Sequence, residues 1–403
     1  MTHLECSVSG CVTLDLHDRA LACPKCGNLL EVAIQPPSAD AAELKRRWLV
    51  RRGSNDPRDS SGVWRFREFL PGGYGRDGIV TLSEGNVPLV RGQKTAKWVG
   101  LRRLWFKHLG WNPTGSFKDL GMTSGMTEAK FTGATAVACA STGNTAASLA
   151  AYAARAGLIG RVYLPAGQAS QNKLAQALDF GAELVQIEGS FDDALNSLLG
   201  GADPSLYFLN SINPFRIEGQ KTAMFELFEQ LNWQVPDYLV VPGGNLGNSS
   251  AFGKAFMELK QFDLIDKVPR MIIVQARGAN PLARMWEAGA TELTAVAQPE
   301  TVATAIRIGN PRSWKKALRG VTFTDGFVMD VSDEEIGEAK AMIGRDGIGC
   351  EPASATTLAG IRKLTDSGQL DPDAEVVAVL TGHALKDTDY IIHPKKSHPP
   401  EHN

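Results

Sequence analysis

The chain of 403 residues has only six cysteines, too few for a disulfide scaffold. It also lacks a long hydrophobic run. Its most apolar stretch, 134–164, is interrupted by Ser141, Thr142, Asn144 and Arg155, so the ~18 consecutive apolar residues of a membrane helix are absent. Neither charge sign dominates: 42 Lys and Arg stand against 44 Asp and Glu, a formal net charge of −2. That balance excludes a dedicated nucleic-acid binder, which needs a basic surface to neutralise phosphates. The opening residues, Met1-Thr2-His3-Leu4-Glu5-Cys6, have neither the basic nor the apolar region of a signal peptide. No internal repeat is visible. These absences lead to the expectation of a cytosolic chain in a reducing compartment, with no membrane or nucleic-acid partner.

Glycine is abundant instead: 41 residues, where average usage of ~7% gives about 28. The excess fits either linkers or loops in which backbone must approach a ligand closely. From about residue 78, short apolar runs alternate with helical patterns. The predicted strands are 104–107, 135–138, 160–164, 183–187, 207–209, 238–241, 271–275 and 376–380. Most lack polar alternation, which suits strands buried on both faces of a parallel sheet. Helices are predicted over 41–52, 145–156, 170–180, 192–199, 219–231, 249–259, 333–344 and 354–364. Ser332 and Glu335 form a capping box ahead of one of them. The basic run within 41–52 reads as a solvated face. The alternation predicts an α/β fold with ligand loops at the carboxyl ends of the strands.

Four segments could carry chemistry. In Asn112-Pro113-Thr114-Gly115-Ser116-Phe117-Lys118-Asp119, the lysine follows a turn and opens a helix. The helix dipole and an apolar pocket would lower its pKa, allowing Schiff-base or general-base chemistry. The plain alternative is a surface lysine in a capped turn. Ser141-Thr142-Gly143-Asn144-Thr145 follows a strand and offers hydroxyl and N–H donors to a carboxylate, or is simply a helix cap. Gly243-Gly244-Asn245-Leu246-Gly247-Asn248 also joins strand to helix, the general design of a phosphate cradle. It has neither the spacing of a dinucleotide fingerprint nor the Gly-Lys-Ser/Thr of a P-loop, and a structural turn is its alternative. Thr381-Gly382-His383 ends a strand and, alone, reads as a β-turn.

Near the N-terminus, Cys6-x4-Cys11 and Cys23-x2-Cys26 could close a tetrahedral structural zinc site, with His3 and His17 as lesser candidates. The alternative is a degenerate ribbon with unligated thiols. Cys139 and Cys350 read as buried thiols.

Taken together, and in this order along 60–390, the segments resemble the fold-type II pyridoxal-phosphate enzymes, and within them the plant-like branch of the threonine synthase family. Further matching segments are Gly62-Val63-Trp64-Arg65-Phe66-Arg67, Ser83-Glu84-Gly85-Asn86-Val87-Pro88-Leu89, Asn210–Thr222 and Cys350-Glu351-Pro352-Ala353-Ser354. The resemblance implies a tryptophan synthase β-like fold, two open α/β domains with the cofactor in the cleft. It implies a ribbon-like unit over 1–34, a large cofactor-binding domain over 35–105 and 220–390, a small substrate domain over 106–219, and a disordered tail over 391–403.

The resemblance also assigns roles. Lys118 would hold pyridoxal 5'-phosphate and carry protons. Asn144 would bond the ring hydroxyl. Gly244, Asn245, Leu246, Gly247 and Asn248 would hold the phosphate, and Thr381 would face the ring nitrogen. A neutral hydroxyl there does not force that nitrogen to stay protonated, so a weak electron sink is expected. Ser141, Thr142 and Thr145 would bind the carboxylate of O-phosphohomoserine, and Asn210, Ser211 and Arg216 its phosphate. The product would be L-threonine and the assembly a homodimer. His108-Leu109-Gly110-Trp111 departs from the family's pattern ahead of the lysine motif. The rivals are a threonine/serine dehydratase, a cysteate synthase-like enzyme, or a zinc-ribbon binding protein with an inactive core.

Overall fold

The computed structural model describes residues 1–35, 37–166, 171–189 and 205–392. The chain divides into two compact units, Met1–Asn86 with Asn112–Glu226, and Val87–Trp111 with Leu227 onward.

The first unit opens with a three-stranded antiparallel sheet, His3–Cys6 lying between Thr13–Leu14 and Leu30–Ala33. Alternation puts Leu4, Cys6, Leu30 and Val32 on its buried side, where Phe215 completes the cluster. A four-stranded parallel sheet follows in the order Glu183–Ile187, Ile159–Pro165, Ala136–Ala140, Leu206–Phe208. The central strand Ala136–Ala140 is buried at every position, because it is covered on both faces. The predicted helix 192–199 and the end of the tail, 393–403, lie outside the described residues.

Residues 35–86 also cluster with this unit, whereas the sequence-based division groups them with 220–390. Their packing supplies the reason. Trp48, on helix Ala41–Arg52, packs edge-on against Phe66, Phe69 and Phe225 at 5.1, 5.9 and 5.9 Å. Such aromatic contacts anchor by area and by geometry. The basic face of that helix is not simply solvated. Arg51 and Arg47 both reach Glu68, at 2.6 and 3.2 Å.

The second unit is built on a six-stranded sheet in the order Phe327–Val331, Arg270–Ala276, Tyr238–Pro242, Glu375–Leu380, Arg103–His108, Leu89–Arg91. Only the pairing of Leu89–Arg91 is antiparallel. All eight predicted strands are present, within about two residues at their ends. The two edge strands were not legible. Leu89–Arg91 has three residues, and Phe327–Val331 is half-buried and contains Asp330, so neither forms a fully apolar run.

The predicted helix 219–231 begins earlier, at Pro214, and ends at Gln230. Proline at the first helical position loses no hydrogen bond. Asn213 caps it, its Oδ1 accepting the N–H groups of Phe215 at 3.0 Å and Arg216 at 3.3 Å. The capping box of Ser332 and Glu335 is formed, opening helix Asp333–Arg345. Among the described residues, no helix is long and apolar enough to cross a membrane.

Candidate active site

In the first unit, Lys118 is the first residue of helix Lys118–Phe131, half-buried, with its amine 4.2 Å from the centroid of the Phe117 ring. The turn before it requires Gly115, whose φ is +86°. The next residue, Asp119, is fully buried and anchors the turn. Its carboxylate accepts the Thr114 N–H at 2.7 Å, the Thr114 hydroxyl at 2.6 Å and the Ser148 hydroxyl at 2.6 Å. Burial pushes the Asp119 carboxyl up to about 6, against these hydrogen bonds. Ser148 lies one turn into helix Asn144–Ala156, so Asp119 ties the start of the lysine helix to the helix that follows the Ser-Thr-Gly-Asn loop.

That loop leaves strand Ala136–Ala140, and Ser141 through Thr145 are all half-buried. Asn210 fixes its origin. Its amide accepts the Ala140 N–H at 3.1 Å and donates to the Ala140 carbonyl at 3.2 Å. Asn210 therefore spends both ends of its side chain on backbone. Arg216 is 1% exposed. Its Nη1 donates to the Leu209 carbonyl at 2.9 Å, while its Nε is buried without a hydrogen-bond partner. Burial lowers its pKa to about 10. An interior cation with an unsatisfied N–H is costly, and an anion beside it would remove that cost.

Helices Lys118–Phe131 and Pro214–Gln230 cross with backbone almost touching. A Cβ on Gly121 would fall 2.7 Å from the Arg216 carbonyl, and one on Gly219 would fall 1.9 Å from the Leu120 carbonyl. The matched segment 62–67 supports the lysine helix: Trp64 Nε1 donates to Thr123 Oγ1 at 2.8 Å.

In the second unit, strand Tyr238–Pro242 runs into the Gly-rich loop and helix Gly247–Gln261. The residue before the helix, Leu246, is left-handed at φ 64° and gives the helix no side-chain cap. The first N–H groups of the helix are thus left for an anion, which the helix dipole favours. The loop is held from several sides. Gly243 donates to the Val274 carbonyl at 2.8 Å, Asn248 Nδ2 to the Pro242 carbonyl at 3.0 Å, and the Arg312 N–H to Asn245 Oδ1 at 2.7 Å.

Thr381 follows strand Glu375–Leu380 and is buried. Its hydroxyl lies 3.1 Å from Ser354 Oγ and 3.3 Å from Glu351 Oε1. His108, at the end of strand Arg103–His108, bonds the Gly349 carbonyl through Nε2 at 2.8 Å, and burial lowers its pKa. It steadies the turn that leads to Glu351. Asp119, Ser148, Glu351, Ser354 and His108 received no role from the sequence. The one available signal was that Asp119, Glu351 and Ser354 lie inside matched motifs.

At the N-terminus, the four sulfurs of Cys6, Cys11, Cys23 and Cys26 lie within 4.8 Å of one another. Three of the separations are 3.4, 3.5 and 3.6 Å. Four thiolates at ~2.3 Å from a tetrahedral zinc would stand about 3.7 Å apart, so the cluster fits that ion. Burial opposes ionisation of Cys6, yet hydrogen bonds involving Ser9 bring it down to about 6. His17 is engaged elsewhere, with Glu128 at 3.0 Å. Cys139 and Cys350 are buried, and burial raises both thiols to about 12.

The first unit thus offers an amine at a helix start. The second unit, by itself, offers an uncapped helix N-terminus behind a Gly-rich loop and a buried hydroxyl at a strand end, groups of the kind that hold an anion and a ring nitrogen. Comparison with known proteins gives the family. The profile of the family "Pyridoxal-phosphate dependent enzyme" matches residues 80–382. The chain belongs to that family, and it is a pyridoxal-phosphate-dependent lyase. It is 46% identical over 382 residues to the threonine synthase of Methanocaldococcus jannaschii, covering 94% of this chain and 92% of that protein. It is 43% identical over 396 residues to the threonine synthase of Methanosarcina acetivorans, covering 97% and 94%. Within the wider family, the chain is therefore a member of the threonine synthases.

Solved structures agree on the fold. Processed threonine deaminase isoform 2 from Solanum lycopersicum superposes with a TM-score of 0.65 at 19% identity, over 87% of each chain. Maize serine racemase gives 0.62 at 20% identity, over 76% of this chain and 94% of the other.

Proposed function

We propose that the chain converts O-phospho-L-homoserine and water to L-threonine and phosphate. Arg216 carries this reading. Its buried, incompletely satisfied guanidinium sits in the segment matched to the family's substrate-phosphate motif, and a phosphate would supply the missing acceptor. Ser211 would assist, and Asn210 would contribute by holding the Ala140–Ser141 junction. Ser141, Thr142 and Thr145 would bind the substrate carboxylate.

Pyridoxal phosphate, when bound, supplies the electron sink that lets protons leave Cα and Cβ. Lys118 would hold it and carry those protons on its amine. Asn144 would bond its ring hydroxyl, Gly244 to Asn248 would hold its phosphate, and Thr381 would meet its ring nitrogen. The deciding experiment compares phosphate release from O-phosphohomoserine with ammonia release from L-threonine. Dominant phosphate release is expected. Dominant ammonia release would make the chain a dehydratase instead.

We also propose that the four-cysteine cluster binds one structural zinc ion, because its sulfur spacing suits tetrahedral thiolate ligation. On family resemblance, the chain would work as a cytosolic homodimer. A solution mass equal to one chain, measured by light scattering, would overturn the dimer.

A further inference from the structure

Phe215 is buried in the core of the N-terminal ribbon, against Leu4, Cys6, Cys23, Leu30 and Val32. Among the described residues, the other buried members of that core run from Leu4 to Val32. A single side chain from helix Pro214–Gln230 therefore completes it. The same helical turn carries Arg216.

Successive side chains leave a helix about 100° apart. Phe215 and Arg216 thus leave one turn in different directions. The arginine stem lies along helix Lys118–Phe131, where that helix lacks side chains. A Cβ on Gly121 would fall 3.2 Å from Arg216 Cβ, and one on Gly125 would fall 3.2 Å from Arg216 Cγ. Gly121 and Gly125 are four residues apart and share a helix face, so together they make a groove for the stem. The guanidinium at its end donates through Nη1 to the Leu209 carbonyl at 2.9 Å. The first turn of helix Pro214–Gln230 is therefore held on two sides, by the ribbon through Phe215 and by the lysine helix through Arg216. The ribbon is also fastened to the far end of that lysine helix. His17 Nδ1 lies 3.0 Å from Glu128 Oε1, and Arg19 donates to the Thr132 carbonyl at 2.7 Å.

We propose that Phe215 is a positioning residue: seated in the ribbon core, it fixes the rotation of its helical turn and so aims the Arg216 guanidinium at the substrate's phosphate. This rests on the reading that Arg216 binds that phosphate. A turn free to rotate would swing the end of the long arginine side chain much further than its Cα. A planar fork recognises phosphate only when it is correctly oriented, so a small rotation is felt as lost affinity. The ribbon is then part of substrate recognition, although its other core residues lie at the opposite end of the sequence.

The test measures binding of inorganic phosphate to the holoenzyme by calorimetry, beside KM and kcat for O-phosphohomoserine. Phe215→Leu stays apolar but removes the ring. In that variant KM and the phosphate Kd should both rise by at least roughly 5-fold. The fall in kcat should be much smaller, because ground-state binding is what is weakened. Val32→Ala, which thins the ribbon core from its other side, should act in the same direction. L-Threonine has no phosphate, and should perturb the visible cofactor band at the same concentration in wild type and both variants. A general structural loss would weaken L-threonine as well. A wild-type phosphate Kd in Phe215→Leu would overturn the proposal, and so would equal weakening of phosphate and L-threonine. Should Phe215→Leu fail to fold, Val32→Ala decides on the same two readings. Arg216→Lys separates the proposal from its foundation. If that variant keeps the wild-type phosphate Kd, Arg216 does not bind the phosphate, and the underlying reading falls first. If it weakens phosphate while Phe215→Leu and Val32→Ala do not, only the role of Phe215 falls.

Discussion

Lys118 and Asp119 are neighbours with opposite legibility. The lysine was recognisable from its motif, because a turn followed by a helix start is a local property. The role of Asp119 was not, since Ser148, one of its partners, lies 29 residues away. Lys118→Ala should lower phosphate release from O-phosphohomoserine by at least about 10³-fold, and should abolish the visible cofactor band. A variant that keeps both would overturn the assignment.

Asp119 gives a pH prediction. Its folded pKa of about 6 lies above the ordinary 3.8, so the folded chain holds this proton more tightly than the unfolded one. The folded state is favoured while Asp119 is protonated, and that contribution is lost as pH rises from about 4 to about 6. The loss is on the order of 3 kcal/mol. Urea melts across this window should show the slope in wild type and its reduction in Asp119→Asn. Arg216→Lys should raise KM for O-phosphohomoserine by roughly 10–100-fold, because an ammonium cannot reproduce the planar fork of the guanidinium. Its cofactor spectrum should be unchanged. A KM equal to wild type would remove Arg216 from substrate binding.

At the scale of elements, apolar patterns located every strand of the two parallel sheets except the edge strands Leu89–Arg91 and Phe327–Val331, and many of the helices. They missed the short strands of the N-terminal sheet and helices such as Pro281–Glu287 and Trp314–Phe323, and they misplaced a helix start that doubles as a motif. Pro214 to Arg216 looked like loop because their interest lay in a motif, yet Asn213 before Pro214 is a sound helix signal. The crossing of helices Lys118–Phe131 and Pro214–Gln230 depends on Gly121 and Gly219. Gly219→Ala should destabilise the chain by about 1–3 kcal/mol in denaturant melts, since its methyl would collide with the fixed Leu120 carbonyl. A neutral result would mean that the helices can separate without cost. Leu246 is the converse case. The Gly-rich loop was legible, but a leucine occupies the left-handed position that glycine usually fills. Its complete burial holds it there.

At the scale of the molecule, the N-terminal ribbon is not a loose appendage. Its core includes Phe215, the residue before Arg216, and its His17 reaches Glu128 on the lysine helix. Removal of zinc by a chelator, or Cys23→Ser, should therefore lower Tm by several degrees and release about one zinc per chain. Metal analysis and thermal melts check this together. Protein purified with intact thiols but no zinc would overturn the metal assignment.

The amino-acid sequence by itself determined the α/β alternation, the loops at strand ends, the four-cysteine knot and the position of Lys118. These follow from burial patterns, turn chemistry and motif spacing, all properties of short segments. The tertiary structure alone decided how those residues are set. Asp119 is desolvated by helices from distant parts of the chain. Asn210 is consumed by the backbone at Ala140, and Arg216 is buried with an unmet donor. Thr381 is set among Ser354 and Glu351, 27 and 30 residues away. Desolvation and the direction of a hydrogen bond belong to a residue's neighbours in space, and those neighbours exist only once the chain has folded.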